Sequence, residues 1–236
     1  MLKGAMVVSI LICLSSCQSM SPLEQPLALP AKIDHIVYAT PDLDQGIREI
    51  EDKLGVKATL GGQHPGRGTR NALISLGPST YLEIFAPDPS QPAPKQPRAF
   101  GLDSLKNSKL VAWYVKSDDI ERTRDEAVRA GVPLGQIRSG SRRRGDGVEL
   151  SWKFTDPLAV VADGIVPLFI DWGRSPNPAI TAPQGASLVA LHAEHPDAPQ
   201  VRHILQKLGV GLTVDHGSAP ALIAVIDCPK GRVVLR

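Results

Sequence analysis

Two groups of residues in this 236-residue chain stand where chemistry could be done. The first is a pair. His35 lies within the apolar run from Ile33 to Tyr38, and Glu83 lies between Leu82 and Ile84. A carboxylate among apolar neighbours on a strand is costly to bury unless it is paired or bound to a cation. A histidine in the same setting either makes a structural hydrogen bond or holds something. Together the two read as a metal or catalytic pair. Taken singly, they read as a core histidine and a salt-bridged glutamate. The second group is the segment GGQHPGRGTRN, from Gly61 to Asn71. Its glycines permit tight turns, and Arg67 and Arg70 can grip a carboxylate or phosphate. His64 can move a proton near neutral pH. Asn71 begins an inward-facing run by strand alternation. The segment lacks the Gly-Lys-Ser/Thr ending of a phosphate-binding loop. Its plainer reading is a hairpin loop in solvent.

The elements that must position these residues are legible from periodicity. An apolar strand at Ile33–Tyr38 ends at Pro41-Asp42. Leu43, Ile47, Ile50 and Leu54 then recur at helical spacing, and Gly55 closes the helix. Extended runs follow from Val56, at Asn71–Leu76 and at Tyr81–Phe85. The order is βαβββ, with His35 on the first strand and Glu83 on the last. The helix ending recurs twice, with Lys53-Leu54-Gly55-Val56 matched by Arg129-Ala130-Gly131-Val132 and Lys207-Leu208-Gly209-Val210. We therefore expect an α+β fold with one module over 32–88, a proline-rich connector over 89–108 and a second βαβββ module over 109–174. A third, truncated βαββ unit is expected over 186–236, as a flanking layer over an open sheet edge.

The βαβββ order, the histidine on its first strand and the string GGQHPGRGTRNALISLGPSTYLEIF together resemble the vicinal oxygen chelate superfamily, and its glyoxalase-like branch in particular. The resemblance implies that two modules curl into a half-barrel whose first and last strands present metal ligands. Carried onto this chain, it points to His35, Glu83 and Asp171, with His64 as a further candidate. Asp171 in FIDW stands opposite Glu83 in YLEI, and Ala112 opposite His35, so the usual second histidine is missing. One nitrogen and two or three oxygens suit Mn²⁺, Fe²⁺, Zn²⁺ or Mg²⁺ without choosing among them. The implied activity is metal-assisted chemistry of the lyase, isomerase or dioxygenase type on a small, oxygen-rich, anionic molecule. Glu83 and His64 would be catalytic, with Arg67, Arg70 and Asn71 on the substrate. The alternative is a non-catalytic binding protein of the bleomycin-resistance type, which the loss at Ala112 favours.

Composition narrows the partners. A net charge of +2 and 4% aromatic residues argue against nucleic acid. The one basic cluster, Arg142-Arg143-Arg144, reads as a solvated loop. The first residues set a lysine before a short apolar run that ends in Leu14-Ser15-Ser16-Cys17. That layout is a signal peptide over 1–16, and its last four residues resemble a bacterial lipobox. It implies acylation of Cys17, a tether over 17–31, and a lipid anchor as the only link to a membrane. Gln18, where an aspartate would retain the protein at the inner membrane, points to the outer membrane facing the periplasm. Cys228 then has no partner for an internal disulfide.

Overall fold

The computed structural model describes residues 32–236. The leader, the tether and Cys17 lie outside the described residues. The first module runs β1 (Ile33–Ala39), α1 (Leu43–Leu54), β2 (Thr59–His64), β3 (Thr69–Ser75) and β4 (Tyr81–Pro87). The second runs β5 (Lys109–Lys116), α2 (Ile120–Arg129), β6 (Ile137–Arg143), β7 (Glu149–Thr155) and β8 (Leu168–Asp171). A third unit follows with β9 (Ser187–His195), α3 (Ala198–Lys207), β10 (Thr213–His216), β11 (Ala221–Cys228) and β12 (Gly231–Leu235).

All three helices use the same local chemistry at both ends. Asp42, Asp119 and Asp197 are the N-caps, each accepting from the backbone N–H three residues on. Gly55, Gly131 and Gly209 follow the helices with φ of 70°, 81° and 64°, a region where a side chain would be strained. The repeated punctuation in the sequence is this repeated cap.

Eight strands of the first two modules form one sheet in the order β2-β3-β4-β1-β5-β8-β7-β6. Within each module the first and last strands are parallel, β1 to β4 and β5 to β8. The modules join where β1 runs antiparallel to β5. The sheet curls until its outermost strands meet. Arg142 of β6 donates to the carbonyl of Gly61 on β2. A Cβ on Gly62 would stand 3.3 Å from the carbonyl oxygen of Arg143. The result is a nearly closed barrel with one face turned inward.

The outer face carries the main core. Ile36, Ile50, Leu54, Leu82, Ile84, Trp113 and Ile120 are all at most 1% exposed. The third unit forms its own four-stranded sheet, β10-β9-β11-β12. Its Leu191, Leu222, Ile226 and Leu235 share that core with Leu110 and Trp113. It therefore covers the outer face where the two modules join, rather than an open edge. Its strand β10 is only four residues long and pairs parallel to β9, so this unit has one strand more than periodicity suggested.

Candidate functional site

The floor of the barrel is set by an irregularity in β1. Ile33 faces Val115 and His35 faces Tyr114, so Asp34 is an extra residue with no partner on β5. A bulge of this kind re-aims a side chain out of strict alternation. Asp34 is fully buried and accepts from Asn177 Nδ2 at 2.8 Å and Trp172 Nε1 at 3.1 Å. Its Oδ1 also lies 2.7 Å from His35 Nδ1. A carboxylate only accepts, so His35 carries a proton on Nδ1. The ring cannot swing away. It is stacked between Tyr81 and Tyr114, with centroids at 4.6 and 4.2 Å and planes within 16°. Its Nε2 faces Glu83 Oε2 at 3.6 Å.

The first module supplies the rest of the polar cluster. Glu83 on β4 accepts from Asn71 Nδ2 on β3 at 2.6 Å. His64 at the end of β2 places Nε2 4.0 Å from Glu83 Oε1, while its Nδ1 lies 3.0 Å from Thr69 Oγ1. Burial pushes the His64 imidazole down to about 4, against the pull of Glu83 and with help from the Arg142 and Arg67 charges. It is therefore neutral at pH 7. The other amide atom of Asn71, Oδ1, is buried without a hydrogen-bond partner. A Cβ on Gly61 would stand 2.2 Å from that oxygen, so Asn71 can lie as it does only beside a glycine.

The second module faces this cluster with different chemistry. The ladder pairs Tyr114 with Leu168 as it pairs His35 with Tyr81, and Lys116 with Ile170 as it pairs Val37 with Glu83. The counterparts of His35 and Glu83 are thus Tyr114 and Ile170, not Ala112 and Asp171. Ile170 and Trp172 line the cavity. Asp171, between them, projects to the other side of β8, pairs in register with Lys153 and accepts from Gly173 N at 2.8 Å. The sequence comparison was one residue out of register there, and one residue reverses the face. Arg70 is likewise on the outward face of β3, between the cavity-lining Thr69 and Asn71. Arg67 does line the cavity, together with His35, His64, Asn71 and Glu83.

Above the floor the walls are aromatic and cationic. Trp152 and Phe154 of β7 face in, and the Arg67 guanidinium carbon lies 4.6 Å over the Phe154 ring. Gly140 on β6 makes room for Trp152, since a Cβ there would stand 2.5 Å from the indole. Arg142 belongs to β6, is buried and lines the cavity, which corrects its reading as a solvated loop residue. The proline-rich connector is a wall as well. Residues 91–100 pass over the cavity as a strap. At one end Gln91 and Gln63 both donate to Asp88 Oδ2 at 2.8 Å. At the other, Arg98 donates to the Gly68 carbonyl at 2.7 Å and pairs with Asp103 at 2.5 Å. The cavity volume is about 750 Å³, room for a small molecule.

Among the described residues, no three histidine, cysteine, aspartate or glutamate side chains form a ready-made metal cluster. The donor set nevertheless fits a divalent cation in kind. His35 and His64 are imidazoles whose Nδ1 atoms are engaged from behind; His35 turns Nε2 to the Glu83 carboxylate, and His64 Nε2 lies 3.4 Å from the Asn71 amide nitrogen and 4.0 Å from Glu83. Metal-binding histidines are commonly oriented by such a partner on the other nitrogen.

Two curled βαβββ modules around one cavity are the fold of the vicinal oxygen chelate superfamily. The family model of the glyoxalase-like domain matches residues 33–209, and the chain belongs to that family. No curated protein matches it in sequence. Among solved structures, a hypothetical protein from Staphylococcus aureus is similar with a TM-score of 0.61 at 15% identity, covering 80% of this chain and 88% of that one. Methylmalonyl-CoA epimerase from Mycobacterium tuberculosis gives 0.41 at 19% identity, covering 66% and 94%. The Streptomyces coelicolor epimerase bound to 2-nitronate-propionyl-CoA gives 0.42 at 18%, covering 62% and 98%. At these identities the likeness is one of fold alone.

Proposed function

We propose that this protein is a metal-assisted enzyme acting on a small, oxygen-rich molecule, with proton transfer as its central step. The observation that carries the reading is the convergence of His35 Nε2 and His64 Nε2 on the Glu83 carboxylate at the closed end of the cavity. His35, His64 and Glu83 would hold a divalent cation. When bound, it supplies Lewis-acid stabilisation of negative charge developing on substrate oxygens.

The protein groups then divide the work. Glu83 is the group placed to take and return a proton. Asn71 fixes one of its oxygens, and the other stays turned to the cavity floor. Asp34 and the two stacked tyrosines keep His35 in one tautomer and one orientation. Burial raises the Tyr81 and Tyr114 phenols well above their ordinary value, so both stay neutral beside it. Isomerase and lyase reactions use this set directly.

The test is metal content and affinity of untagged protein. One divalent ion per chain is expected. The change Glu83→Gln should weaken its binding about 100-fold or more while leaving the protein folded. A wild type that takes up no divalent metal at micromolar concentration sinks the reading. A second reading, a binding protein that sequesters its ligand without turnover, has one observation in its favour. Tyr114 and Ile170 offer no acid, base or imidazole where the first module has His35 and Glu83.

A further inference from the structure

The arginines around the cavity fall into two kinds. Arg138 on β6 is held by Asp156 through two hydrogen bonds of 2.7 and 3.1 Å, and Arg98 on the strap is paired with Asp103. Arg142 and Arg67 have no such acid among the described residues. Arg142 is 6% exposed, and its guanidinium donates only to the Gly61 carbonyl. Arg67 donates through Nη2 to the Ser139 carbonyl at 2.7 Å and otherwise lies on the Phe154 ring. A guanidinium has five N–H donors and stays charged inside proteins. One carbonyl each leaves most of those donors free. Arg67 is half-buried, and the Arg142 charge is buried without a counter-ion, which is costly. Glu83 lies within range of the Arg142 charge, but Asn71 holds one of its oxygens and the other is turned to His35.

The two arginines also bridge the seam from opposite sides. Arg67 comes from the first module and reaches the backbone of β6. Arg142 comes from β6 and reaches the backbone of β2. Both line the same cavity as Trp152 and Phe154, near the seam where the barrel closes. We propose that Arg67 and Arg142 form an anion subsite, and that the molecule this cavity takes carries a carboxylate or phosphate bound between them, with its apolar body against Trp152 and Phe154. The subsite deepens the reading of the cavity as a substrate site, but it needs no cation at Glu83.

The experiment uses the whole protein in the presence of a chelator. Benzoate, phenyl phosphate and the neutral benzamide are titrated while tryptophan emission is followed, and melting is recorded alongside. At least one of the two anions should bind about 10- to 100-fold more tightly than benzamide. The tighter of the two assigns the head group as carboxylate or phosphate. Arg67→Met and Arg142→Met should each remove about a factor of 10 of that preference and leave benzamide binding unchanged. Arg142 also ties the seam, so its variant is read only where melting shows it folded. Arg67→Met leaves the strands intact and decides the matter alone. Equal binding of all three probes by the wild type, or an unchanged preference in Arg67→Met, overturns the proposal. Because the chelator removes any metal, a protein that binds no divalent ion yet prefers anions loses the metal reading and keeps this one.

Discussion

The two halves of the barrel have the same fold and opposite chemistry. In the first module β1, β2, β3 and β4 bring His35, His64, Asn71 and Glu83 together within 4.0 Å of the carboxylate oxygens. In the second, the corresponding places hold Tyr114 and Ile170, and β6 and β7 supply Arg142, Trp152 and Phe154. A pseudo-symmetric scaffold thus places the histidine and carboxylate cluster on one side and the Arg142, Trp152 and Phe154 wall on the other. The ladder needs only backbone pairing, so side chains on the inner faces are free to diverge while the barrel persists. Tyr114 shows the divergence in one residue. It stands at the counterpart of His35, and instead of supplying a ligand it stacks on that histidine.

That division can be broken by experiment. The largest effect is expected at Asp34. Asp34→Asn removes the carboxylate that sets the His35 tautomer, and metal affinity should fall about 10- to 100-fold. Probe binding at the arginines should stay within about twofold, since nothing at the seam changes. Gly140→Ala tests the other half. Its methyl group would press on the Trp152 indole, so stability should drop by about 1–3 kcal/mol in a denaturant titration. Metal affinity should not move. If Gly140→Ala weakens metal binding as much as Asp34→Asn, the two halves are not separate. The smallest effect is expected at Asp88, at the foot of the strap. Burial pushes this carboxyl up, but hydrogen bonds from Ser90, Gln91 and Gln63 outweigh it and hold the group down at about 2. The folded form therefore favours the carboxylate. Its stabilisation is complete above the ordinary value of 3.8 and is lost as the pH falls through about 2. Asp88→Asn should cost about 1 kcal/mol at pH 7, and that difference should vanish in acid melts.

Much of this arrangement could be read from the chain because it rests on local rules. Glycine after a helix marked all three module boundaries, and alternation about Glu83 placed Tyr81 and Phe85 on its face. His35, His64, Arg67 and Asn71 were singled out by the same reasoning and do meet in one cavity. What escaped depends on one-residue shifts or on distant partners. Asp34 should face away from His35 by alternation, and only the bulge brings them together. Asp171 and Ile170 exchange faces with a register change of one, and the run Val166–Trp172 carries no alternation to choose between them. Arg142 sits in a string of three arginines among glycines and serines. Its burial comes from β2, which lies far away in sequence. The strap has the composition of a linker, and nothing local says that a cavity lies beneath it.

That strap has a consequence for how tightly the cavity can hold a ligand. Pro92, Pro94 and Pro97 each fix φ, and the segment is tied at both ends through Asp88 and Arg98. A free loop of this length would lose conformational entropy on closing over a ligand, and that loss would subtract from affinity. Here most of the loss is already incurred when the chain folds. The wall is preorganised, so selectivity should follow from the shape of the cavity more than from the compliance of its cover.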